Sequence, residues 1–183
     1  EQESAQPPAS NIKTDEDILL FPTYGSFDQQ ADGWRLAVHG KVFEPEFSST
    51  KRLALIAVLR ASANSRFDAE DVALLDDRIR PFLVDNERGK SVTIQIAGEQ
   101  FLAGTSGANG HFSTSVVLSA KSLGVTADKN QILETTAVLK ESDSRIFTGH
   151  AHLIAPQGVS IISDIDDTIK HSQVTDKSEL LQN

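Results

Sequence analysis

Residues 34–45 read WRLAVHGKVFEP. Trp34, Leu36, Val38, Gly40 and Val42 occupy alternate positions, with Arg35, His39 and Lys41 between them. That is the period of a strand with one buried face. Upstream, DILLFPTYG at 17–25 reads as another strand. Downstream, SVTIQIAG at 91–98 alternates, and Ala97, Gly98 and Glu99 turn it into QFLAG at 100–104. In TSGANGHFSTSVVLS at 105–119, an Asn109-Gly110 turn leads into a strand. QILETTAVLK at 131–140 and RIFTGHAHLIA at 145–155 predict a hairpin around 141–144.

Between these strands the period changes. SSTKRLALIAVLRAS at 48–62 opens with capping residues and reads as a buried helix. FDAEDVALLDDRIRPF at 67–82 has Asp68 as its cap, acidic residues in its first turn and Val72, Leu75 and Ile79 at helical spacing. Pro81 ends it. About seven short strands with turns between them predict a mainly β protein. The expected architecture is a β-sandwich, immunoglobulin- or transthyretin-like, over residues 17–156 with two inserted helices. Trp34 and Phe112 are the expected core aromatics. Residues 1–16, polar and containing Pro7 and Pro8, read as a disordered leader.

Composition narrows the partners. Seventeen Lys and Arg against 26 Asp and Glu leave a formal charge of −9. Nucleic acid is therefore not an expected partner, because its binding rests on Lys and Arg neutralising phosphates. The longest apolar run, LALIAVL at 53–59, is far short of the about 20 residues that cross a bilayer. The chain contains no Cys, which excludes disulfide and thiolate chemistry, and no Met. The polar leader and the missing Met suit a mature N-terminus past a signal peptide and a trimmed chain equally, so export, periplasmic or secreted, and a cytoplasmic location both stay open.

A break at Pro156, Gln157 and Gly158 precedes GVSIISDIDDTIKHS at 158–172. Val159, Ile161 and Ile162 suit a strand covered on both faces, as in the parallel sheet of an α/β domain. Catalytic loops of such sheets sit at the carboxyl ends of strands. Asp164, Asp166 and Thr168 form D-x-D-x-T at such an end. A carboxylate repels a phosphate dianion, and Mg2+ removes that repulsion. Two acids at i and i+2 can then divide the work, one attacking phosphorus and the other protonating the leaving oxygen. The competing readings are a solvated turn and a Ca2+ loop. An EF-hand loop needs Gly at its sixth position, where this chain has Ile169, and a preceding helix.

Other chemistry-bearing residues read more plainly. His150 and His152 share one face of a strand at i and i+2, with no third metal ligand suggested nearby, and read as ordinary strand histidines. His39 and His111 read as structural. His171 lies near the acidic loop and can face its entrance. The charges from Lys51 to Lys90 offer a phosphate- or headgroup-contacting patch, against a solvated helix face with local ion pairs, which is the preferred reading.

The strand followed by D-x-D-x-T resembles the first motif of haloacid-dehalogenase-superfamily phosphatases. The longer string GVSIISDIDDTIKHSQVTDKSELLQN at 158–183 is similar to one branch, the Mg2+-dependent phosphatidate phosphatases of the yeast actin-patch type and their bacterial relatives. In that family SDIDDTIK opens the catalytic domain, and VTDK and a Leu-Leu-x-Asn stretch follow. FLVDNERGKSVTI at 82–94 and GANGHF at 107–112 are similar to the region preceding that domain in bacterial members. The resemblance implies Asp164 as nucleophile and Mg2+ ligand. It implies Asp166 as general acid and base with its carbonyl on Mg2+, and Thr168 as the residue fixing the loop. Asp167 and Lys170 receive no chemical role.

The superfamily also needs a Ser or Thr, a phosphate-holding Lys and a late acidic pair, all downstream. Fifteen residues follow Thr168, too few to build them, and Lys170 and Lys177 stand too near the first motif. Residues 157–183 are thus expected to be the start of an incomplete catalytic domain, inactive alone, whose strand must pair elsewhere or fray. The implied partners are phosphatidate or another phosphomonoester, a peripheral membrane surface, and a second copy through an exposed sheet edge. The rival function is a non-catalytic β-sandwich that binds protein, lipid or carbohydrate.

Overall fold

The computed structural model describes residues 6–45, 54, 57, 58, 61, 84–124, 130–159 and 161–164. The chain divides into two compact units, one of Glu1–Glu46 with Val84–Gln157, the other of Phe47–Leu83 with Gly158–Asn183. The 47–83 stretch, expected as an insertion within the β domain, thus falls in the second unit.

The first unit is mainly β and carries an open, curled sheet. Nine strands are described: β1 Asp17–Leu20, β2 Thr23–Asp28, β3 Gly33–Glu44, β4 Asp85–Asn86, β5 Ser91–Ile96, β6 Glu99–Thr105, β7 His111–Ser119, β8 Gln131–Ala137 and β9 Thr148–Ile154. β3 organises them because it is long enough to take several partners. Along one side it pairs antiparallel with β7, from Gly33 opposite Ser119 to Lys41 opposite His111. Along the other side its first half pairs with β2 and its second half with β1. Phe43 and Glu44 also pair with β4. The strand expected over 17–25 is therefore two strands. Pro22, which has no N–H to give a ladder, lies between them.

β2 runs parallel to β9, which continues antiparallel through β8 and β5 to β6. The hairpin expected around 141–144 joins β8 to β9, with the Asp143 N–H donating to the Lys140 carbonyl at 2.9 Å.

The face of β3 expected to be buried is buried: Trp34, Leu36, Val38, Gly40 and Val42 all point inward. They meet Val92, Ile94 and Ile96 of β5, Phe112 and Leu118 of β7, and Leu153 of β9. Each such aliphatic side chain contributes about 1.5–3 kcal/mol on burial. Gly40 is small for a packing reason, since a Cβ there would run into the Phe112 ring. The Trp34 ring meets Phe27 edge-on at 5.5 Å, and among the described residues its indole N–H has no acceptor. An unmatched buried donor costs about 1–3 kcal/mol.

The expected leader is corrected over residues 8–16, which pack onto the sheet. Ile12 joins the core, and Ser10 and Glu16 are buried. The Pro8 carbonyl accepts from Thr93 Oγ1 at 2.6 Å, and Ser10 Oγ accepts from the Thr93 N–H at 3.0 Å. The Ser10 and Asn11 N–H groups donate to the Val138 and Ser91 carbonyls, both at 2.8 Å. Polar composition suggested disorder, but here side chains and carbonyls bond to the margin of a strand as a ladder would.

Of the helix expected over 48–62, Ala54, Ala57, Val58 and Ala61 are described, and they are helical and exposed. Their spacing of i, i+3, i+4 and i+7 makes them one helix face. Val58, expected to be buried, belongs to this solvent face. The helix expected over 67–80 lies outside the described residues. A one-turn helix not anticipated from the sequence, α1 (Ala120–Leu123), follows β7. Ser119 caps its start and Gly124, at φ +61°, ends it.

The two-residue turn between β5 and β6 holds Ala97 at φ +50° and Gly98 at φ +86°. This left-handed pair matches the twist of a hairpin, but an L-residue with a Cβ pays about 1–2 kcal/mol there, and Asn pays less. Ala97 is exposed. Ala97→Asn is expected to stabilise the protein by about 0.5–1 kcal/mol, raising Tm by about 2–4 °C in a thermal melt. An unchanged or lower Tm would contradict the turn geometry.

Candidate functional site

The acidic segment begins in the second unit. Val159, Ile161 and Ile162 are 92%, 88% and 98% exposed, and 161–164 has no regular secondary structure. The strand expected over 159–163 is therefore not formed at its described residues. β-branched side chains favour extended backbone, but a strand exists through its ladder, and among the described residues none pairs with this segment. Asp164 is exposed, and its carbonyl accepts from Ser163 Oγ at 2.9 Å. Asp166 and Thr168 lie outside the described residues, as do Asp167, Lys170, His171 and Lys177. Asp164 thus stands for the motif, its carboxylate a hard oxygen donor suited to Mg2+. Among the described residues, no three His, Asp or Glu side chains form a group that could hold a metal ion. Nor is any helix among them long and apolar enough to cross a membrane.

Two of three clusters of chemistry-bearing side chains described in the first unit lie on exposed strand faces. His150 and His152 of β9 both face solvent. Across the ladder, Glu134 stands opposite His150, and Ile132 stands opposite His152. On the other side His152 is in register with Tyr24. Tyr24 and Ile132 are exposed, so an aromatic ring, an imidazole and an aliphatic chain lie side by side across three strands.

His39 and His111 form a second pair that sequence reasoning treated as two unrelated structural residues. His39 Nε2 lies 2.8 Å from His111 Nδ1, one nitrogen donating and the other accepting. The Phe21 ring stacks on His111 at 5.8 Å and lies 4.9 Å from His39. Partial burial, with His39 and Lys41 nearby, pushes the His111 imidazole below its ordinary value. The signal that could have found this pair is the β3–β7 register, which sets Lys41 opposite His111 and leaves His39 diagonal to it.

A third cluster is ionic. Glu16 Oε1 takes the Lys90 ammonium at 2.6 Å and the Lys13 ammonium at 3.2 Å, and Oε2 takes the Lys13 N–H at 2.8 Å. Lys90 also pairs with Glu87 at 3.5 Å. Lys90, the last charge of the 51–90 region, is held in ion pairs with Glu16 and Glu87. Arg145 binds the Glu16 and Lys13 carbonyls at 2.6 and 2.8 Å and the Asp143 carboxylate at 2.6 Å.

Compared with protein-family models, with curated proteins and with solved structures, the chain matches none.

Proposed function

We propose that this chain carries the first catalytic motif, and the accessory β domain before it, of a Mg2+-dependent phosphatase of the haloacid-dehalogenase type. Its substrate is phosphatidate or a related phosphomonoester. On this reading the first unit is a β-sandwich that orients the enzyme at a membrane surface. Residues 158–163 become the first strand of the catalytic sheet once its neighbours are present. The observation that carries the reading is Asp164-x-Asp166-x-Thr168 directly after three β-branched residues. The near-complete exposure of Val159, Ile161 and Ile162 supports it. Each would gain about 1.5–3 kcal/mol on burial, so the segment has a strong drive toward a sheet. The same drive supports pairing between copies at this edge.

The Asp164 carboxylate attacks phosphorus and is phosphorylated, forming the aspartyl-phosphate as the P–O bond to the leaving alcohol breaks. Asp166 protonates the departing oxygen, then takes a proton from the water that hydrolyses the aspartyl-phosphate. Thr168 holds the loop so that the two acids keep different aims. The Asp164 carboxylate and the Asp166 carbonyl would hold Mg2+, which would supply charge screening between the nucleophile and the phosphate.

The test is phosphate release from phosphatidate in detergent micelles by the protein translated past Asn183. Turnover that requires Mg2+ and is abolished by EDTA is expected, with none from the 183-residue chain. A reading frame that stops at Asn183, or an extended protein inert toward phosphomonoesters, would overturn the proposal.

One observation favours the second reading, a binding module. The exposed row of Tyr24, His152 and Ile132 is the kind of mixed aromatic and apolar surface that contacts a partner.

A further inference from the structure

The convergence of two imidazole nitrogens on the outer face of the sheet calls for chemistry of its own. We propose that His39 and His111 form a two-imidazole site for a divalent first-row transition cation, Cu2+ foremost, then Ni2+ or Zn2+. The site uses none of the residues of the acidic motif and is independent of the phosphatase reading.

The geometry carries the proposal. Two cis imidazole nitrogens at about 2.0–2.1 Å from one cation stand about 2.8–3.4 Å apart, from square-planar to tetrahedral angles. His39 Nε2 and His111 Nδ1 already stand 2.8 Å apart. Binding therefore needs the rings to turn toward a common point, with little change in their separation. The donating ring moves its proton to its other nitrogen, so both converging nitrogens present lone pairs and no net proton leaves the pair.

The surroundings hold the rings in place. Phe21 lies against both imidazoles, and the β3–β7 ladder fixes the two backbones beneath them. Lys41, the cation nearest the site in the ladder, carries its ammonium over the Phe43 ring, 5.8 Å from its centre. Two protein ligands leave the remaining positions to water, as in an open site. Imidazole prefers Cu2+, Ni2+ and Zn2+ over Mg2+, which wants oxygen ligands. The pair is therefore not a second site for the phosphatase cation.

The test is a titration of the 183-residue chain carrying H150A and H152A, which removes the other histidine pair, with Cu2+, Zn2+ and Mg2+ in turn. Imidazole NMR signals and calorimetry are read together. Cu2+ is expected to broaden the His39 and His111 ring signals ahead of that of His171, Zn2+ to shift them, and Mg2+ to leave them unmoved. His39→Gln and His111→Gln should each weaken Cu2+ binding at least about tenfold with an unchanged circular dichroism spectrum. The broadening in the parent background gives the answer even if a variant folds poorly. Failure of Cu2+ and Zn2+ to bind, parent-like affinity in His39→Gln, or broadening that reaches His171 first would each overturn the proposal.

Discussion

Asp164→Asn, made in the protein translated past Asn183, is expected to cut phosphate release from phosphatidate at least about a thousandfold. Asn keeps the size and shape of the side chain. It removes the anionic oxygen proposed to attack phosphorus and the charge proposed to hold Mg2+. The fold should not register the change, because Asp164 is exposed and belongs to a different unit from the sheet. Thermal unfolding of the β unit should therefore match the parent. Asp166→Asn should behave differently. A general acid contributes about 10²–10⁴-fold, and its contribution falls when the leaving group needs no proton. Asp166→Asn should thus lose most of its activity on phosphatidate and much less on p-nitrophenyl phosphate, whereas Asp164→Asn should lose both. Equal losses for the two variants on both substrates would remove the division of labour between the acids. Substantial turnover by Asp164→Asn would remove the nucleophile, and with it the proposed reaction.

The two halves of the molecule differed in how readily they could be read from sequence, for a physical reason. β3 was legible because alternation is a local property: each residue of WRLAVHGKVFEP declares its face through its neighbours. The β5–β6 turn and the β8–β9 hairpin were legible because turn chemistry is local too. Long-range pairing was not. Nothing in residues 8–16 announces that Ser10 will bond to Thr93 or Glu16 to Lys90, since each partner lies more than seventy positions away. The parallel contact of β2 with β9 and the meeting of His39 with His111 depend on register, which a single sequence does not print. The acidic motif shows the converse. Asp164-x-Asp166-x-Thr168 stands out as a string, but the strand before it needs neighbours that local propensity cannot supply. The described part of that segment is accordingly exposed and without regular secondary structure.

Glu16→Ala is expected to destabilise the β unit by about 3 kcal/mol, read as a lower urea midpoint at pH 7. Glu16 is buried, and its carboxylate accepts from the Lys90 ammonium, the Lys13 N–H and the Lys13 ammonium. Removing it strands the Lys90 ammonium, itself largely shielded, with Glu87 as its remaining carboxylate partner among those described. The loss should also free residues 6–16, because Arg145 grips the Glu16 and Lys13 carbonyls that the carboxylate helps position. Limited proteolysis should cut this segment faster in the variant than in the parent. A pH series separates the ionic contribution from simple loss of packing. Burial pushes the Glu16 carboxyl up, and the hydrogen bonds from Lys90, the Lys13 N–H and the Lys13 ammonium overcome it, holding it at about 2 against an ordinary 4.5. A carboxyl whose folded value is depressed stabilises the protein above its unfolded value and loses that contribution as pH falls toward the folded one. The gap between parent and Glu16→Gln should therefore be full above about pH 4.5 and narrow steadily toward pH 2. Asp143, held at about 2 by its hydrogen bond from Arg145, titrates over the same window in both proteins and cancels from the comparison. Lys90→Ala closes a double-mutant cycle: if the ion pair is the source of the effect, the double variant should lose much less than the sum of the singles. A gap that stays constant from pH 7 to pH 2.5, or single losses that simply add, would mean that Glu16 fills space under residues 6–16 without anchoring them by charge.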